Sequence, residues 1–124
     1  MKQGQWDELK RKLVRSKFRR RFHLSRSDID YINSKGIETI ERHCRDFIVR
    51  RLSPARPTND GRQTPMRGHP VFTAQHSTAV CCRKCLAKWH AVPTGHELTD
   101  AQIDRICEII MLWISDQLAA AARP

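Results

Sequence analysis

From Ile103 to Leu118 the apolar residues return every third or fourth position, at Ile103, Ile106, Cys107, Ile110, Trp113, Ile114 and Leu118. That period belongs to an α-helix with one apolar face. Just ahead of it, Thr99-Asp100-Ala101-Gln102 has the form of a capping box, with Thr99 accepting from the first turn and Gln102 reaching back. Such a helix cannot bury its face alone, so the rest of the chain must supply helices to cover it. The same period recurs at Ile37, Ile40, Cys44, Phe47, Ile48 and Leu52, closed by Pro54. Trp6, Leu9 and Leu13 mark a basic amphipathic helix within residues 5–18. A short helix from Asp28 to Ser34 is capped by Ser25 or Ser27 and stopped by Gly36. Between Phe72 and Trp89 there is no Gly or Pro. Phe72, Ala79, Cys82, Cys85, Leu86 and Trp89 fall on one half of a helical wheel, which predicts a single helix starting near Thr73 or Ser77.

The expected fold is therefore mainly α, a single small domain of about five helices with the last packed on the cysteine-rich one. The segment from Ser53 to Gly68, with Pro54, Pro57, Gly61, Pro65 and Gly68, reads as a long Pro/Gly-containing loop, with a short β element near residues 62–69 as a second reading. Loops of this length are often functional. Residues 1–21 read as a basic N-terminal arm and residues 22–120 as the helical domain.

A chain of 124 residues is one domain by length. It buries roughly 65% of its unfolded surface, so stability does not require a metal or a disulfide. No apolar run approaches the ~20 residues of a membrane span. The first residues lack a signal-peptide core, and five cysteines is an odd number for a secreted disulfide framework. A cytoplasmic location is the expectation. The net charge of +10 is uneven. Residues 1–26 carry ten Lys/Arg against Asp7 and Glu8, while residues 68–124 sum to zero. One basic surface, rather than a uniformly basic protein, follows.

The chemistry-bearing residues cluster. Cys81, Cys82, Cys85, His69, His76 and His90 fall within 22 positions. Thiolates and imidazoles are the donors zinc takes in tetrahedral sites. Cys82, Cys85 and His90 supply three at workable spacing, with His76, His69 or Cys81 as the fourth. On one continuous helix Cys81 would turn aside. The spacing is equally that of a packed helix face, because free cysteine is among the most buried residue types. A redox thiol pair is a third reading, though no thioredoxin-like βαβ pattern surrounds it.

The basic arm offers Lys10, Arg11, Lys12, Arg15, Lys17, Arg19, Arg20 and Arg21, interleaved with Trp6, Phe18 and Phe22. Cations that neutralise phosphates and aromatics that stack on bases are what nucleic-acid binding needs. An amphipathic helix covering the core, or lying on a membrane surface, uses the same residues. A helix-turn-helix across Gly36 is disfavoured by Arg42, which falls where an apolar contact belongs.

Asn59-Asp60-Gly61, then Gln63-Thr64-Pro65-Met66-Arg67-Gly68-His69-Pro70-Val71-Phe72, Ala74-Gln75-His76, Cys81-Cys82-Arg83, Cys85-Leu86 and Lys88-Trp89-His90 together form a long motif. It resembles a bacterial family known as domain of unknown function 4186. The resemblance runs from about Phe22 to Gln117 and leaves the residues before Phe22 outside. It implies a small, single-domain bacterial protein and carries no activity with it.

The leading functional expectation is a small cytosolic binding protein, stabilised by zinc, that contacts nucleic acid through its basic arm. The second is a metal-dependent enzyme at the 59–69 loop and the Cys/His cluster. There a metal-bound water would be the nucleophile, and Arg62 and Arg67 would bind an anionic substrate. No HExxH, phosphate loop or carboxylate pair accompanies them. An exposed Trp6 or Trp113 would mark a dimer face; buried, each is core.

Overall fold

The structure, a computed structural model, describes residues 1–123. Seven α-helices follow one another: α1 (Gln3–Leu13), α2 (Lys17–Arg20), α3 (Arg26–Lys35), α4 (Ile37–Phe47), α5 (Pro70–Thr78), α6 (Arg83–His90) and α7 (Asp100–Ala121). The wheel patterns place the helices well, but the number exceeds the expected five. A four-residue helix, α2, hides in the Lys/Arg run, started by Ser16, whose Oγ accepts from the Arg19 N–H at 3.2 Å. The helix expected over Phe72–Trp89 is also two helices.

That break has a local cause. His69 and Pro70 start α5 earlier than Thr73 or Ser77 would. The His69 Nδ1 accepts from the Val71 N–H at 3.0 Å, and Pro70 occupies the first turn, where its missing N–H costs nothing. Ala79 then ends α5 in the left-handed conformation, at φ 63°. Cys82 restarts the helix from an extended backbone, with its Sγ accepting from the Cys85 N–H at 3.4 Å.

Every residue from His69 to Arg83 is buried. Helix α5 is thus the central element, packed on α7 and touched by α1 to α4. Its polar side chains are satisfied internally, as buried polar groups must be. Thr78 Oγ1 donates to Ala74 O at 2.7 Å, and Gln75 Nε2 donates to Val80 O at 3.1 Å. Ile40, Ile48, Leu52, Val71, Leu86, Ile110 and Ile114 form the dry core around it. Helix α4 continues into a π-helical turn, Ile48–Leu52, closed by the Ser53 N–H on Ile48 O at 2.8 Å.

The β element near residues 62–69 is absent; the described residues contain no strand. Asn59, Gly61 and Gly68 take positive φ, which turns the chain instead of extending it. Side chains, not a neighbouring strand, satisfy this loop: Gln63 Oε1 accepts from the Gly61 N–H at 2.7 Å. Among the described residues no helix is long and apolar enough to cross a membrane.

The basic segment is not loose. Trp6 is 1% exposed, and its indole N–H donates to Asp116 of α7 at 3.0 Å. Leu13 is buried as well, and Lys10 meets the same carboxylate at 2.9 Å. Trp113 is also core.

Candidate metal centre

The break between α5 and α6 creates the cluster. Because the chain turns at Ala79, bends at Cys81 and Cys82 and restarts as α6 from an extended Cys82, Cys81 faces the same point as Cys82 and Cys85. The three Sγ atoms lie within 4.8 Å of one another. The expectation that Cys81 turns aside is corrected: it held for a continuous helix, and this one is interrupted. Three thiolates at ~2.3 Å from one ion stand about 3.8 Å apart, so the observed triangle needs little contraction to receive a metal.

Arg19 of α2 completes the site. It is 7% exposed, and its guanidinium donates to Cys85 Sγ at 3.1 Å, to Cys81 Sγ at 3.8 Å and to the His76 carbonyl at 2.6 Å. It also lies over the Trp89 ring, 5.3 Å from its centroid. Arg19 forms no salt bridge among the described residues, so the sulfur cluster is the partner that can balance its buried charge. Hydrogen bonds from the Cys81 and Cys82 thiols, reinforced by Arg19, hold the Cys85 thiol far below its usual range against the opposing effect of burial. Hydrogen bonding to Cys82 and Cys85, together with burial, pushes Cys81 the other way. Cys85, beside the Arg19 guanidinium, is thus the sulfur most readily held as a thiolate.

The loop from Asn59 to Pro65 is fastened over the backbone of this cluster. Thr64 Oγ1 donates to the Cys81 carbonyl at 2.9 Å, and Asp60 Oδ1 accepts from the Arg83 N–H at 3.4 Å and from Gln63 Nε2 at 3.0 Å. Much of the long sequence motif is explained by these contacts.

The three histidines proposed as ligands stand apart from the thiol group. His76 Nε2 points its proton at the carbonyls of Thr64 (3.2 Å) and Pro65 (3.0 Å), while Phe22 stacks on its ring. His90 Nε2 donates to Thr78 O at 2.8 Å. His69 caps α5 through Nδ1 and pairs through Nε2 with His43 Nδ1 at 3.1 Å, in a cage of Tyr31, Phe47 and Phe72. Burial lowers the pKa of all three, that of His69 to about 4.

Of the arm cations, Arg11, Lys12, Arg15, Lys17, Arg20 and Arg21 are exposed, Lys10 is paired with Asp116, and Arg19 lies inside the cluster rather than on the surface. Arg62 and Arg67 are exposed on the loop. Sequence reasoning missed Arg19 as a partner of the sulfurs, because nothing distinguishes it from Arg20 and Arg21. It also missed Arg83, which is 1% exposed and donates to the carbonyls of Leu52, Pro54, Pro93 and His96 at 2.8–3.4 Å. That bonding ties the start of the loop after Leu52 to the segment between α6 and α7.

Fold and site define an all-helical protein with a buried three-thiol cluster able to hold a metal ion. The chain belongs to a domain of unknown function, DUF4186, whose family model matches residues 7–115. The match begins well before Phe22, so most of the basic segment lies within the family's domain. No solved structure matches the chain.

Proposed function

We propose that this protein binds zinc through Cys81, Cys82 and Cys85 and contacts nucleic acid through its basic N-terminal segment. The observation that carries the first part is the triangle of Sγ atoms with Arg19 beside it. Zinc with three thiolates has a net charge of −1, which the buried Arg19 guanidinium beside it would neutralise. Binding would release protons from the thiols. A cytoplasmic location fits, because thiols stay reduced there.

Elemental analysis of the purified full-length chain tests this reading. About one zinc per chain is expected, with loss of most of it in Cys85→Ser and in Cys81→Ser. Wild-type protein that stays free of metal at saturating zinc, with all five thiols reduced, overturns it.

Support for the second part comes from the six exposed arm cations, four on α1 and α2, which pack on the core, and two, Arg15 and Arg21, on the turns that follow them. Charge reversal of Arg11, Arg15 and Lys17 should weaken binding to nucleic acid and reduce its salt dependence, because each phosphate contact releases counterions. Binding that ignores both salt and these changes overturns it. The alternative of a metal-dependent enzyme rests on three thiolates leaving a fourth coordination position, with the 59–69 loop close by. Loss of an activity in Arg62→Ala or Arg67→Ala with the metal retained would favour that alternative.

A further inference from the structure

The arm and the Pro/Gly loop, far apart in sequence, meet at a cleft of about 510 Å³. Its volume lies within the ~300–1,000 Å³ range of small-ligand sites. Arg21 and His23, following α2, line it together with Met66, Arg67 and Gly68 of the loop. The start of α3 and Tyr31 line it as well. Arg21 and Arg67 are both exposed, and neither forms a salt bridge among the described residues. Arg21 lies over the rings of Phe18 and Phe22, at 5.0 and 5.7 Å, and the N–H edges of both guanidiniums remain to take a phosphate in bidentate fashion.

Two further features select among phosphate-bearing ligands. Tyr31 lines the cleft and is partly exposed, so a planar base has an aromatic ring to stack on, while the Phe22 ring beside it is already stacked on His76 and covered by Arg21. Ser27 and Asp28 lie beside them. Asp28 Oδ2 accepts from the Ser25 N–H at 3.0 Å, which fixes the carboxylate in place. A carboxylate repels a bare phosphate but accepts from a sugar hydroxyl. Cations, an aromatic ring and a fixed acceptor in one cleft match a ribonucleotide unit better than an isolated anion. Duplex bases, stacked and paired, could not enter it.

We propose that this cleft holds one nucleotide of a single-stranded RNA, with Arg21 and Arg67 on its phosphate, Tyr31 on its base and Asp28 on its ribose. The proposal rests on the nucleic-acid reading and narrows it to single strands. Adjacent phosphates would follow α2, whose exposed Lys17 and Arg20 lead directly into Arg21.

Fluorescence anisotropy on the full-length protein tests this, using a labelled ten-nucleotide single-stranded RNA, the DNA of the same sequence, duplex RNA and free AMP. Single-stranded RNA should bind tightest. Tyr31→Ala should weaken it at least about fivefold, the lower end of base–aromatic stacking. Arg67→Glu should weaken it about tenfold or more while leaving the thermal unfolding midpoint unchanged. If RNA and duplex bind equally, or if Arg67→Glu and Tyr31→Ala both bind like wild type, the cleft proposal fails while the arm reading survives. If no nucleic acid binds even at low salt, both fail. Binding of AMP without binding of the oligonucleotide also overturns it, in favour of a small-molecule site.

Discussion

Arg19 brings a full positive charge into a site that is almost closed to water, and its partners are two sulfurs and one carbonyl. A buried guanidinium without a carboxylate is costly unless something else nearby is anionic. The cluster meets that need, and so its acidity and the docking of α2 depend on each other. Arg19→Met should lower zinc affinity roughly 10- to 100-fold, the usual effect of removing a group that orients or polarises ligands. Arg19→Lys should restore part of it, since lysine carries the charge without the planar fork. Competition with a chromogenic chelator reads both, and unchanged affinity in Arg19→Met would separate the arginine from the metal. Arg83 is the opposite case, with its partners all carbonyls and its Nε unpaired. Arg83→Ala leaves up to four carbonyls without that donor and should cost on the order of 3–5 kcal/mol in urea unfolding. Neither arginine's role is legible from residue order. Residue type announces charge, but burial of that charge is decided by tertiary neighbours such as Trp89 and Pro93.

At the scale of elements, the parts of the fold carried by periodicity and capping chemistry were legible. Thr99 and Gln102 do form the capping box of α7, at 3.1 and 2.9 Å, and Ser25 and Asp28 form that of α3. The cluster was legible in residue type but not in geometry. Its formation turns on Ala79, an ordinary residue in a left-handed conformation that favours glycine. Without a Gly or Pro at the break, the apolar pattern on either side reads as continuous. Ala91 ends α6 in the same conformation, at φ 56°, but is exposed. Replacing it with glycine relieves the backbone strain without removing core packing. Ala91→Gly should therefore stabilise the protein by about 0.5–1 kcal/mol, against a similar or larger loss in Ala91→Val. The urea midpoints of the two variants check this, and a lower midpoint for Ala91→Gly would contradict the strain argument.

Across the whole molecule, the basic segment and the buried histidines make stability depend on groups distant in sequence. Trp6 and Lys10 bind Asp116, and the amino group of Met1 meets Glu108 at 3.1 Å, so removing residues 1–21 would uncover the core along with the cations. Charge reversal at exposed positions is the cleaner probe of binding for that reason. Acid should act through the other end of the same core. His69 caps α5, the central helix, with an unprotonated Nδ1, and burial, with His43 adding to it, lowers its pKa to about 4. In the unfolded chain the ring titrates near ~6.5. Because the folded value is the lower one, the unfolded chain binds more protons between these two pH values, and stability falls as pH falls. The contribution is complete above pH ~6.5 and is lost progressively towards pH ~4, by roughly 2–3 kcal/mol for this ring alone. His76 and His90 shift in the same direction and add to the slope. Urea unfolding at pH 7.0 and 4.5 should show the loss. In His69→Asn, which can still cap the helix but does not titrate, the difference between the two pH values should shrink by a comparable amount. An unchanged difference would mean that the acid sensitivity lies in the carboxylates and not at the head of α5.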